Sequence, residues 1–190
     1  MKVIKENISN KLEVNKSIFF TNLIKICNKN NVTDEINKIK NKYKDATHYC
    51  YAYIIDNNKK SSDDGEPGGT AGVPIMEILQ NKDLNYILCV VTRYFGGIKL
   101  GAGGLVRAYR KATIEAINKS TLQELVDGFE IIIEVKYNEQ KDLEYLIKDN
   151  NYTKDYLNNV IYTIQCDKEI KTILESKYNI VNIKEIKIER

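Results

Sequence analysis

The stretch NYILCVVTRYFGGIKLGAGGLVRAYRKATIEAINKS, residues 85–120, reads as a strand, a glycine-rich turn and a helix. Residues 85–95 are apolar at successive positions, as in a strand buried on both faces. Beyond Gly103 the period changes, and Leu105, Tyr109, Ala112 and Ala116 recur on one helical face. The glycines between strand and helix permit positive φ and close approaches that a Cβ forbids.

Upstream, Val32, Ile36, Ile39 and Tyr43 have helical spacing behind Thr33, which reads as an N-cap. Residues 47–55 read as a strand with Tyr49, Tyr51 and Tyr53 on one face, a stripe suited to packing under a helix or to stacking bases. GVPIMEILQ from Gly72 reads as a short helix entered through Pro74, and residues 121–126 as a closing strand. After Gly128 the pattern becomes strand, helix, two strands, helix, strand, with a hairpin turning at Asn158-Asn159. The expectation is an α+β protein of two domains: a βα domain over residues 1–126 and a ferredoxin-like βαββαβ domain over residues 127–190.

A hydrophobic content of 43% and a charged content of 29% fit a globular protein. No apolar run approaches the roughly 20 residues of a spanning helix. The opening residues interleave Lys, Glu and Asn with apolar ones, unlike a signal peptide, so a soluble cytoplasmic protein without membrane partners is expected. Cys27, Cys50, Cys89 and Cys166 form no C-x-x-C pair and read as reduced thiols. His48 is the only histidine, which argues against structural zinc. It also leaves a nucleophile without an obvious base, and Cys50, two residues away on the same face, reads as core.

Charge and glycine are both unevenly spread. Residues 1–128 carry 19 Lys/Arg against 14 Asp/Glu, whereas the remainder is slightly acidic. Nine of the ten glycines and both prolines lie between Gly65 and Gly104. Between Asp83 and Glu115 there is no acid, while Arg93, Lys99, Arg107, Arg110 and Lys111 supply five positive charges. Gly101, Gly103 and Gly104 lead into the helix, so free N–H groups and the positive helix end would face an anion. Arg107, Arg110 and Lys111, three and four residues apart, would extend this into a basic stripe for phosphates. The string is not a P-loop, because Gly104-Leu105 replaces the Lys-Ser/Thr that must follow the last glycine, and it is not a dinucleotide fingerprint, because it lacks a correctly placed third glycine. A plain strand-to-helix turn with a solvated basic face would have the same pattern. In SSDDGEPGGTAGVP, residues 61–74, Asp63, Asp64 and Glu66 are weak candidates for a magnesium or calcium site and equally for turn hydrogen bonds. No resident cofactor is expected.

Together, KDATHYCYAYI, SDDGEPGGTAGVPI and VVTRYFGGIKLGAGGLVRAY resemble the signature of the YigZ/IMPACT family, over about the first 126 residues. The resemblance implies the βα fold of the second domain of a small-ribosomal-subunit protein, followed by a ferredoxin-like domain similar to one of elongation factor G. Its signature falls on Asp63, Asp64, Gly65, Glu66, Pro67, Gly69, Thr70, Ala71 and Gly72, then on Arg93, Tyr94, Gly96, Gly97, Leu100, Gly101, Gly103, Gly104 and Leu105. Ile18 stands where the family usually has Arg. Eukaryotic relatives regulate translation through protein partners. The leading expectation is therefore a translation regulator that binds RNA or the ribosome through Lys99, Arg107, Arg110 and Lys111, with no catalytic residue assigned. An enzyme acting on a phosphorylated small molecule with a divalent metal, and a protein-interaction module, are the alternatives.

Overall fold

The computed structural model describes residues 1–190, which divide into two compact units, 1–124 and 125–190. The first unit opens with β1 (Lys2–Ile4), followed by a hairpin of β2 (Ile8–Val14) and β3 (Ser17–Lys25). Its turn residues, Asn15 and Lys16, both have positive φ, at 47° and 64°, the geometry that matches the twist of two paired strands. After α1 (Val32–Lys42) come a second hairpin of β4 (His48–Ile55) and β5 (Asn58–Ser62), then α2 (Gly72–Asn81), β6 (Ile87–Tyr94) and α3 (Gly101–Lys119). The α1 helix starts at Val32 because residues 29–31 form a 3-10 turn, capped by Asn28, that runs straight into it; Thr33 lies inside the first turn and is not the cap.

The five strands pair antiparallel in the order β2-β3-β6-β4-β5. Alternation along β3 sends Phe19 and Leu23 into a core shared with Leu79, Leu105 and Tyr109 of α2 and α3. It sends Ile24 to the other face, where Leu88 and Val90 pack with Val32 and Ile39 of α1. Covered on both faces, the central β6 is buried from Ile87 to Arg93, which explains its unbroken apolar run. Tyr49, Tyr51 and Tyr53 lie against the α1 cluster, so the tyrosine stripe is packing surface.

The sequence suggests two strands broken at Gly128, but the chain forms one, β7 (Leu122–Val135). Gly128 is buried and paired with Ile186, and a Cβ there would stand 2.8 Å from the Ile188 side chain. The glycine admits a close neighbour; it does not interrupt the strand. Leu122–Glu124 pair with β1. Within the second unit, α4 (Gln140–Leu146), β8 (Asn151–Tyr156), β9 (Val160–Cys166), α5 (Lys168–Lys177) and β10 (Ile180–Glu189) follow, and the sheet order is β10-β7-β9-β8. This is the ferredoxin-like βαββαβ arrangement. The cross-strand pairs Ile131/Ile164, Ile133/Tyr162 and Val135/Val160 share a core with Leu143 and Leu174 of the helical segments. Asp167, with extended backbone, caps α5 by accepting from the Ile170 N–H at 2.9 Å. No helix is long and apolar enough to cross a membrane.

Candidate functional site

The alternation that puts Cys89 and Val91 of β6 in the core puts Arg93 on the same side, at the strand's end. Arg93 is 5% exposed and needs a partner there. Glu66, in the loop between β5 and α2, provides it: Arg93 Nη1 donates to Glu66 Oε1 at 2.7 Å. The Tyr109 hydroxyl of α3 donates to the same oxygen at 2.8 Å, and Cys50 Sγ lies 3.3 Å from that hydroxyl. Burial, with Cys50 and Glu66 alongside, pushes the Tyr109 phenol up, so it remains a donor. Burial also pushes the Cys50 thiol up to about 12, which keeps it protonated and unreactive.

The acidic loop does not gather its carboxylates around a cation. Asp63 accepts from the N–H groups of Gly69, Ala71 and Gly72 at 2.8, 3.0 and 2.8 Å. Burial raises its pKa, and these three donors outweigh burial, so the carboxyl titrates below its ordinary value. Asp64 accepts from the Tyr49 N–H at 2.7 Å, and its carbonyl oxygen faces His48 Nδ1 at 2.8 Å. Asp63 and Asp64 thus fold the loop, and only Glu66 turns inward. No group of three His, Cys, Asp or Glu is placed to hold a metal ion.

Glu66 forms part of a cleft of about 380 Å³ that Thr47, His48, Pro67, Arg93, Phe95, Lys99, Leu100, Gly101, Ala102 and Leu105 also line. Both glycine-rich segments therefore meet in it. Gly101, at φ 68°, turns the chain into α3, whose first turn has no side-chain cap and no acid. Its free N–H groups and partial positive charge belong to the cleft wall. Lys99 is exposed at the rim, and His48 Nε2 stands 3.8 Å from Glu66 Oε2. A smaller groove of about 270 Å³, which shares Leu100 with the cleft, is also lined by Val14, Asn15, Gly104, Arg107, Ala108 and Lys111.

The structure divides the expected basic stripe. Arg110 forms an ion pair with Glu77 of α2, whereas Arg107 and Lys111 line the groove beside the β2–β3 turn. Lys111 is 3.9 Å from Glu115, one helical turn on, an exposed pair worth at most about 1 kcal/mol. Arg93 is committed to Glu66, so Lys99 and Arg107 are the two cations of the set without a carboxylate partner. His48, Phe95 and Tyr109 join the site without having been read as part of it. For Tyr109 the helical period indicated burial but gave no hint of a polar partner.

The Impact N-terminal domain model matches residues 15–117, more than half of the chain. IMPACT family member YvyE of Bacillus subtilis is 47% identical over 118 residues, which are 60% of this chain and 54% of that relative. The chain thus spans about half the length of that relative. IMPACT family member YigZ of Escherichia coli is 34% identical over 140 residues, 71% of this chain and 69% of the relative. A crystal structure of a hypothetical protein aligns over 100% of this chain and 97% of its own, with TM-score 0.65 and 26% identity. With this match to the domain model and these relatives, the chain belongs to the IMPACT family.

Proposed function

We propose that this protein is a translation-associated regulator that binds RNA, free or within the ribosome, along the first turns of α3. The observation that carries the reading is the start of α3: an uncapped, acid-free helix end flanked by the unpaired cations Lys99 and Arg107. Phosphate oxygens suit the free N–H groups and the two cations together. The resemblance to a family whose eukaryotic members regulate translation supports the biological setting. Phosphate contacts position a strand without reading its sequence, so binding to many RNA sequences with similar affinity is expected. The test is cosedimentation with ribosomes and binding of labelled single-stranded RNA. Arg107→Glu should weaken both. Undiminished binding by that variant would overturn the reading.

A further inference from the structure

We infer that the cleft between β6 and α3 takes a nucleotide bearing a terminal phosphate, with the phosphate on the helix end and the base against Phe95. The inference deepens the RNA reading and rests on its use of the same helix end. Arg93 supplies an independent observation. It lines the cleft at 5% exposure, donates through Nη1 to Glu66 and through Nη2 to Ser17 Oγ at 3.4 Å, and its buried Nε has no hydrogen-bond partner. Arg93, with this unpaired N–H, and the N-terminus of α3 line the same cleft, and both favour an anionic oxygen there. Glu66 adds no net negative charge here, because Arg93 neutralises it, and Lys99 leaves the rim positive.

The remaining wall is apolar. Phe95 is 46% exposed, and the Arg93 guanidinium lies 5.5 Å from its ring centre, which holds the ring while leaving much of it open. Pro67, Leu100 and Leu105 complete that wall. A bare phosphate ion would leave it unused, whereas a nucleobase would cover it. The volume of about 380 Å³ falls within the roughly 300–1,000 Å³ of pockets for small organic ligands. The buried Glu66 and Arg93 side chains form part of the cleft wall, and a cleft of this size takes one nucleotide, free or at a chain end.

The test titrates the intact protein calorimetrically with adenosine monophosphate, adenosine and inorganic phosphate. The monophosphate should bind roughly ten-fold tighter than inorganic phosphate, the contribution of one stacked base, and tighter than the nucleoside. Phe95→Ala, a change at a half-exposed side chain, should remove most of that difference. Lys99→Ala should weaken both phosphate-bearing ligands. Displacement of the monophosphate by a 5′-phosphorylated RNA, but not by its hydroxyl-ended form, would identify the chain end as the source; displacement by neither would identify the free nucleotide. A monophosphate that binds no better than phosphate, or binds Phe95→Ala as it binds the parent, overturns the inference. RNA binding that persists in a protein that ignores the monophosphate leaves the RNA reading standing and removes this one, and the opposite result does the reverse.

Discussion

Arg93 Nη1 and Glu66 Oε1 lie 2.7 Å apart with both side chains almost wholly buried, so one ion pair joins the end of β6 to the loop before α2. Removing either partner strands a charge in the interior, at about 3–5 kcal/mol. Glu66→Ala and Arg93→Ala should each lower stability by that order, and the double variant by much less than the sum. Urea unfolding of the four proteins in a double-mutant cycle gives the coupling. Additive losses would show that the pair does not hold the loop.

Asp63 ties down the same loop through three backbone N–H donors, which depress its pKa in the folded state. A depressed carboxylate contributes stability that is present above its unfolded value and lost as pH falls through the folded one. The parent should therefore lose stability below about pH 4, the ordinary carboxylate range. Asp63→Asn should be less stable at pH 7 and should show a smaller loss on acidification. Thermal unfolding between neutral and acid pH reads both effects, and equal acid sensitivity in the two proteins would contradict the assignment.

Two glycines should respond oppositely to alanine. A Cβ at Gly96 would stand 2.0 Å from the Lys16 carbonyl carbon, backbone against backbone, where the β2–β3 turn meets the loop after β6. Gly96→Ala should cost about 3 kcal/mol or more through overpacking. At Gly103, in the first turn of α3, the nearest neighbour is the mobile end of Arg107 at 3.5 Å. Gly103→Ala should raise stability by about 0.5–1 kcal/mol. Denaturant midpoints decide both.

Thiol reactivity should separate the cysteines. Burial pushes Cys50 and Cys89 up to about 12 and Cys166 up to about 11, whereas Cys27 is exposed. Iodoacetamide on the native protein should modify Cys27 alone, and all four only after unfolding, as mass spectrometry would record. Rapid native labelling of Cys50 would contradict the buried network.

The elements of both units were legible wherever hydrophobic period and turn chemistry agreed, as in β6, α3 and the βαββαβ order of the second unit. Gly128 misled because a glycine that breaks a strand and one that accommodates Ile188 are the same letter. The site was legible as a region, since glycines and cations cluster along the chain. Its wiring was not, because the partners are remote in sequence. Glu77 takes Arg110 from another helix, Asp63 spends its carboxylate on its own loop, and nothing local joins His48 and Phe95 to Lys99.

The central claim, that phosphates of RNA lie on the start of α3, is tested most directly by the salt dependence of RNA affinity in the parent and in Lys99→Glu/Arg107→Glu. Each neutralised phosphate of a single strand contributes about −0.7 to the slope of log affinity against log salt. The parent should show a steep negative slope, and the double variant weaker binding to every sequence with a slope shallower by about 1.4, for two lost contacts. Equal affinities and parallel slopes would contradict the account.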